Sequence, residues 1–332
     1  MRGRHVLVTG GAGFIGSELV HQLAWGGARV TVLDNLVNGR RENLQDIPRD
    51  NVELVVGDIR DEALVNRLMR GVEVVFHLAV LGVRHSIHSP QENHEVNATA
   101  TLKLLAAARS SGVGRFVYVS SSEVYGTART APMTEDHPPF PLTVYGGSKL
   151  AGECYTRAYF HTYGFPTVVL RPFNAFGPRC HHEGDSGEVI AKFMLRCMAG
   201  QPMIVFGDGT QTRDFTFVAD TASGILAAGM SEGAVGKTIN LGSGKEVTIL
   251  ELARIIARVV GVAPRIEHIE PRPGDVLRLI ADTTQARGLL GFAPNVSLED
   301  GLTRLHAWYR DAGVAPETLL QRDVVRNWVG HG

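Results

Sequence analysis

The chain has 332 residues, 44% of them hydrophobic and 20% charged, with a formal net charge of −1. That length buries a core large enough to need neither disulfides nor a structural metal. The balanced charge, with no basic run longer than Arg40-Arg41, argues against a nucleic-acid or anionic-membrane surface, so any anionic ligand must be met by individually placed groups.

Taken in chain order, His5–Thr9, Arg29–Asp34, Val52–Val56 and the stretches 72–77 and 115–120 are short β-branched runs that read as buried parallel strands. Between them Phe14–Trp25, 62–69 and 97–110 carry apolar residues at helical spacing. This alternation predicts an α/β fold, a Rossmann-type doubly wound parallel sheet with ligands at the carboxyl ends of its strands. Pro138-Pro139-Phe140-Pro141 interrupts the pattern, a long helix is expected over 145–163, and a further strand over 167–171. After Pro172 the loops lengthen and Gly/Asp/Pro clusters appear. The expected division is therefore a dinucleotide-binding domain over 1–172 and a smaller α/β substrate-binding lobe over 173–332. The chain is expected to return to the first domain near 214–229.

Thr9-Gly10-Gly11-Ala12-Gly13-Phe14-Ile15-Gly16 joins the first strand to the first helix. Glycines 10, 13 and 16 let the backbone approach a pyrophosphate, and the helix start at Phe14-Ile15 supplies unpaired N–H groups and partial positive charge. Asp34-Asn35 ends the second strand, where an acid accepts from both ribose hydroxyls of NAD and repels the 2′-phosphate of NADP. NAD is the expected cofactor, although Arg40-Arg41 leaves an opening for NADP. Asp58-Ile59 follows the third strand, placed to hold the adenine edge. Leu78-Ala79 ends the fourth, beside the pyrophosphate or nicotinamide ribose.

Tyr145 and Lys149 form a YxxxK pair, which a helix puts on one face. A phenol of ordinary pKa about 10 is a poor base at neutral pH. A nearby ammonium and the positive nicotinamide ring both favour its phenolate. Ser120-Ser121-Ser122 ends the fifth strand, where a hydroxyl can share the proton of the same substrate oxygen.

With both halves in view the sequence resembles the extended short-chain dehydrogenase/reductase family, in the branch that modifies nucleotide sugars. The glycine turn, Asp34-Asn35-Leu36, Gly57-Asp58, His77-Leu78-Ala79 and Ser-Ser-Ser-Glu-Val-Tyr-Gly at 120–126 carry the likeness. So do Tyr145 with Lys149, Arg171-Pro172-Phe173-Asn174 through Pro178, the run from Gly207 to Phe215, and Arg272-Pro273-Gly274-Asp275. The resemblance spans roughly residues 4–310 and implies a nucleoside-diphosphate sugar as substrate. It implies Ser121 as the catalytic hydroxyl, with Ser120 on the cofactor side and Ser122 on the substrate side. Tyr145 is implied as the base on the sugar C4 hydroxyl, and Lys149 as the group that binds the nicotinamide ribose and tunes Tyr145. Asn174 resembles the family's diphosphate contact, and Arg213 and Arg272 its two phosphate- and ribose-binding arginines, a role suited to the guanidinium fork. Val205-Phe206 is a candidate wall for the nucleobase, with core packing as the other reading of an apolar pair.

In this family hydride leaves C4 to give a 4-keto sugar. A 4-epimerase returns it to the other face, a 4,6-dehydratase also removes the C5 proton, and a decarboxylase loses carbon dioxide from a uronic acid. Glu123 occupies the place of the dehydratases' C5 base, and Ser-Glu there also resembles the UDP-glucuronate decarboxylase. No Asp at 122 supplies an acid, so 4-epimerisation is the expected reaction, with dehydration or decarboxylation as the alternative. A non-catalytic NAD-binding protein is the remote third reading, since fold never guarantees activity.

Cys154, Cys180 and Cys197 lie far apart without CxxC or Cys/His ligand spacing, so reduced thiols and no metal are expected. His85, His88 and His94, and Cys180-His181-His182-Glu183, are expected on loops bordering the sugar pocket, again without ligand spacing. No apolar leader precedes His5 and no apolar run reaches membrane-spanning length, so a cytoplasmic protein without membrane partners is expected. Resemblance also implies a homodimer through the helices of 97–110 and 145–163.

Overall fold

The structure is a computed structural model that describes residues 1–184, 187–271 and 276–325. The first part of the chain runs β1 (His5–Thr9), α1 (Phe14–Trp25), β2 (Arg29–Asp34), β3 (Val52–Val56), α2 (Glu62–Leu68) and β4 (Val74–His77). It continues through α3 (His85–His88), α4 (Pro90–His94), a π-helical turn (Glu95–Thr99), α5 (Ala100–Ser110), β5 (Arg115–Val119), α6 (Val144–Tyr163) and β6 (Thr167–Pro172). Then come β7 (Asn174–Phe176), α7 (Val189–Met198), β8 (Met203–Phe206), β9 (Thr212–Phe217), α8 (Val218–Ala228), β10 (Thr238–Leu241) and β11 (Glu246–Thr248). The chain ends through α9 (Ile249–Val260), β12 (Ile266–Ile269), α10 (Thr284–Leu290), α11 (Leu298–Asp311) and α12 (Pro316–Leu320).

Seven parallel strands in the order β10-β6-β5-β4-β1-β2-β3 make the main sheet, confirming the doubly wound α/β reading. The apolar runs are continuous because both faces are covered: β4, β5 and β6 are buried at every residue. One core lies on each face, around Val8, Phe76 and Leu170 on one side and Leu7, Phe116 and Val169 on the other. Each such fully buried side chain contributes about 1.5–3 kcal/mol. Strand order reverses at β1, whose Thr9 pairs with Leu33 of β2 and His77 of β4. The next residue, Gly10, therefore sits over the switch point, where such sheets bind their ligands.

The second lobe carries the three-stranded sheet β11-β9-β7 and the pair β12-β8, packed with α7, α9 and α11 around Phe176, Phe193, Ile256 and Leu305. Its strongest helix is α9, where Ile249, Leu252, Ala253 and Ile256 recur at helical spacing and are buried. Thr248 Oγ1 caps that helix by accepting from Glu251 N at 3.0 Å, and Gly261 ends it at φ +84°. The chain passes back to the first lobe at α8, within the 214–229 stretch. Residues 212–217 form β9 of the second lobe, whereas α8 packs on α1 and β10 supplies the seventh strand of the main sheet.

Candidate active site

A cleft of about 580 Å³ runs along the carboxyl ends of β1, β2, β4 and β5 and into the second lobe. Gly10 holds φ +70°, and a Cβ on it would lie 2.6 Å from Ala79 N; one on Gly16 would lie 2.1 Å from Gly10 O. Side chains at either position would push the turn off Leu78-Ala79 or push α1 off the turn. Gly13 takes the N-cap position of α1 with no side-chain cap, leaving the first N–H groups of that helix to meet an anion at the cleft.

Asp34 is buried at the end of β2, with Oδ2 accepting from Ala12 N at 2.9 Å and Oδ1 from Leu36 N at 2.8 Å. Burial raises its pKa against the pull of these two bonds. A carboxylate accepts about four bonds, so two remain for ribose hydroxyls. Arg40, the possible recruiter of a 2′-phosphate, is ion-paired with Glu183 instead. Asn35 donates to Asp58 Oδ2 at 3.3 Å, and Arg60 grips both oxygens of Asp58 at 3.0 and 2.8 Å, holding its pKa low. Phe14, Ile15, Asn35, Asp58, Ile59, Leu78, Ala79 and Ser120 all line the cleft, so the residues fit NAD.

Ser121 lies two residues beyond β5 and caps the short turn Ser122–Val124, its Oγ accepting from Glu123 N at 3.2 Å. Thr143 Oγ1 caps α6 by accepting from Gly146 N at 3.0 Å, which fixes where that helix begins and so where Tyr145 stands. Burial pushes the Tyr145 phenol up to about 12, a hydrogen bond with Ser121 opposes the rise, and the neighbouring Glu123 charge adds to it. One turn on, Lys149 Nζ donates to Val119 O at 2.7 Å and lies 4.4 Å from the centre of the Tyr118 ring. Burial lowers its pKa to about 7, with Glu153 pulling the other way. Ser121, Tyr145 and Lys149 thus line the same stretch of the cleft, with Lys149 anchored to β5.

The ladder continues along one face of α6. Glu153 is fully buried and accepts from Arg171 Nε at 2.9 Å and Arg171 Nη2 at 2.7 Å. Arg171 also donates to Tyr125 Oη at 2.7 Å, and Tyr125 donates to Asn240 Oδ1 at 2.7 Å. This network bolts α6 to β6 and β10. On the opposite flank Asn97 Nδ2 donates to Ser148 Oγ at 3.1 Å. His77 is buried between Thr9 Oγ1 at 2.7 Å and Thr101 Oγ1 at 2.9 Å. Thr101 donates onward to Asn97 O at 2.7 Å, so His77 donates from Nε2 and accepts at Nδ1, a neutral imidazole in line with its lowering by burial to about 3.

On the substrate side Ser122, Asn174 and Arg213 line the cleft. Asn174 opens β7 directly beyond β6, and its buried Oδ1 has no hydrogen-bond partner among the described residues. Arg213 in β9 steadies its guanidinium by donating to Thr212 O at 2.8 Å. Val205 departs from the expectation: it is fully buried in the second-lobe core, and its neighbours Ile204 and Phe206 face the cleft. Strand alternation explains this, since adjacent residues of β8 point to opposite faces. Arg272 lies outside the described residues.

The histidine segments divide. Val83, Arg84 and Ile87 reach the cleft, whereas His85 and His88 do not line it; His85 Nε2 lies 3.3 Å from a Glu92 oxygen. His181 lines the cleft edge-on to Phe14, with ring centres 6.5 Å apart, and His182 packs edge-on to Tyr309 at 6.0 Å. No group of three or more ligating side chains positioned for a metal occurs among the described residues. The cysteines are free thiols, Cys180 and Cys197 buried and Cys154 exposed. No helix of the described residues is long and apolar enough to cross a membrane.

Sequence reasoning missed Arg84, Glu188, Lys192 and Arg196, all of which line the cleft. Burial pushes Glu188 up to about 8 against the attraction of Arg84. The available signal was spacing, because Glu188, Lys192 and Arg196 recur every fourth residue at the start and along one face of α7.

Residues 6–242 match the model of the NAD dependent epimerase/dehydratase family. A UDP-glucose 4-epimerase of Mycolicibacterium smegmatis is 40% identical over 309 residues, covering 92% of this chain and 98% of that protein. A dTDP-glucose 4,6-dehydratase of Streptomyces niveus is 37% identical over 328 residues, covering 96% of each. The crystal structure of a Thermus thermophilus UDP-glucose 4-epimerase in complex with NAD superimposes with a TM-score of 0.85 at 35% identity, covering 93% of this chain and 99% of that one. With this likeness along nearly its whole length and a cleft built for the dinucleotide, the chain belongs to the NAD-dependent epimerase/dehydratase family of enzymes.

Proposed function

We propose that the chain is an NAD-dependent 4-epimerase of nucleoside-diphosphate sugars. The observation that carries the reading is the convergence of Ser121, Tyr145 and anchored Lys149 on one cleft, at the point where the dinucleotide site opens into a second-lobe pocket lined by Asn174 and Arg213. NAD, when bound, supplies the hydride acceptor and later donor for sugar C4, and a positive ring that favours the phenolate. Tyr145 takes the proton of the C4 hydroxyl, with Ser121 sharing it. Once the 4-keto sugar has turned over, Tyr145 returns that proton to the oxygen at C4. Lys149 orients the nicotinamide ribose from its anchor on Val119 O. Arg213, with Asn174, holds the diphosphate so that either face of C4 can be presented.

Dehydration is the second reading, favoured by one observation: Glu123 stands close enough to Tyr145 to raise its pKa by charge repulsion. A carboxylate there is placed to take a C5 proton. The neighbouring Ser122 gives no acid for a departing hydroxyl, which favours epimerisation. Products from a panel of UDP-, dTDP- and GDP-sugars, separated by liquid chromatography and weighed, test the assignment. An unchanged mass at a new retention time is expected. Loss of 18 Da, the mass of water, would make Glu123 the C5 base, and loss of 44 Da would indicate decarboxylation. A homodimer through α5 and α6 belongs to the same proposal. It is supported by the apolar side chains left exposed on these helices, Leu102 on α5 and Val144 and Tyr163 on α6.

A further inference from the structure

Beyond α11 the chain folds back onto the substrate lobe. Leu319 and Leu320 of α12 pack against the second-lobe core, and Arg322 O accepts from Gly184 N at 2.9 Å. These contacts deliver Asp323 and Val325 to the wall of the cleft. Asp323 Oδ1 lies 2.9 Å from Lys192 Nζ, and its Oδ2 lies 2.7 Å from Arg196 Nη2 and accepts from Arg196 Nε at 3.1 Å. Lys192 Nζ also donates to Val324 O at 2.8 Å. The Asp323 side chain is only 4% exposed. Lys192 and Arg196, one turn apart on α7, therefore have their ammonium and guanidinium groups fixed by the C-terminal segment on the second-lobe wall of the cleft. The same segment reaches toward the cofactor half: Arg322 lies 3.6 Å from Glu183, which also pairs with Arg40 of the loop after β2.

For a nucleotide sugar whose C4 reaches Tyr145, the second-lobe end of the same cleft, lined by Lys192, Arg196, Phe206 and Arg213, is the room left for its nucleotide. Without Asp323, the two long cations on this wall would lose the carboxylate that fixes their positions, and their donors would no longer be pre-organised for a diphosphate. With it, two positive charges are matched by one carboxylate, and the wall offers ordered N–H donors with a net charge near +1. We propose that residues 316–325 form one wall of the nucleotide pocket, and that Asp323 is a positioning residue that sets Lys192 and Arg196 for the nucleoside diphosphate. The proposal rests on the nucleotide-sugar reading above.

The test compares the full chain with Asp323→Ala, Asp323→Glu and a chain ending at Ala312, all loaded with NAD. UDP, dTDP and GDP are titrated by calorimetry, and KM and kcat are measured on the turned-over sugar. Asp323→Ala and the truncation are expected to weaken nucleoside-diphosphate binding and raise KM at least ten-fold, with kcat within about two-fold. Asp323→Glu should recover most of the affinity. Thermal unfolding of both Asp323→Ala and the truncation separates lost binding from lost folding, and Asp323→Ala decides the question where the truncation is unstable. Unchanged KM and affinity in Asp323→Ala overturn the proposal, and so does tighter binding, which would make the segment a competitor for the site. If the full chain binds NAD but none of the three diphosphates, the nucleotide-sugar reading itself falls and this inference with it.

Discussion

Glu153 links the stability of the fold to Lys149, the lysine proposed above to orient the cofactor, and replacing it by Gln tests both. Its carboxylate is fully buried, gripped by Arg171 at 2.9 and 2.7 Å and by Arg157 Nη1 at 3.0 Å. Removing one partner of a buried ion pair costs about 3–5 kcal/mol, because the charge left behind has lost its solvation and its counter-ion. Arg171 keeps its bonds to Tyr125 Oη and Glu135 O, so the lower end of that range applies. An unfolding entropy of about 2.1 cal/mol/K per residue, over 332 residues, gives roughly 700 cal/mol/K. About 3 kcal/mol then lowers the melting midpoint by about 4 °C. The loss carries a pH signature. Burial opposes ionisation of Glu153, but the Arg171 fork and Arg157 hold its pKa below the ordinary 4.5. A group depressed in the folded state stabilises above its unfolded pKa and loses that contribution as pH falls through the folded value. The gap between wild type and variant should thus be full at neutral pH and close below about pH 4.5. Glu153 is also the charge that supports Lys149 at about 7, so in the variant the alkaline limb set by that lysine moves to lower pH. Circular dichroism melts from pH 4 to 8, read beside the kcat profile, measure both effects. A midpoint loss under about 1 °C with an unmoved limb would refute the reasoning.

Gly16→Ala places a Cβ 2.1 Å from Gly10 O and 2.9 Å from Gly11 Cα, both backbone atoms, so the turn must distort. NADH fluorescence titration should show at least a ten-fold loss of affinity, and an unchanged value would remove the turn from the cofactor site. Lys149 titrates at about 7 when folded against 10.5 for its ordinary value, so between these the unfolded chain binds more protons. Stability from this group therefore rises with pH across about 7 to 10. Lys149→Met should remove that slope from a plot of melting midpoint against pH, and parallel curves for the two proteins would contradict it.

The parallel sheet was legible because its strands are buried on both faces and read as unbroken apolar runs, as in Val6-Leu7-Val8 and Phe116-Val117-Tyr118-Val119. The cofactor site was legible for a related reason: a glycine turn and an acid at strand ends answer to local geometry alone. Sequence was weaker where a residue's role depends on which way a strand faces. Val205 and Phe206 are equivalent as apolar neighbours, and only the packing of β8 against α7 and β12 decides that Phe206 takes the cleft. It was weakest for contacts between distant segments. Nothing near Lys192 or Arg196 announces Asp323, which lies 127 residues after Arg196 and arrives through the packing of α12.

The shifts of Tyr145 and Lys149 have one common cause, burial, and it drives both toward their neutral forms. A phenol near 12 and an amine near 7 do not amount to a ready phenolate beside a fixed ammonium. Ser121 is the one polar contact that opposes the rise at Tyr145, and Glu123 reinforces it. The chain's own groups therefore favour the protonated phenol; in the proposed reaction Ser121 would be the hydroxyl that shares a proton between it and the substrate. Glu123 and a Tyr145 phenolate disfavour each other, so negative charge on one suppresses it on the other. An epimerase needs only one of these charges, on Tyr145 and only while the C4 oxygen is a ketone precursor. Burial and the Glu123 charge both make the Tyr145 phenolate costly, and a positive nicotinamide ring is a contribution of the opposite sign.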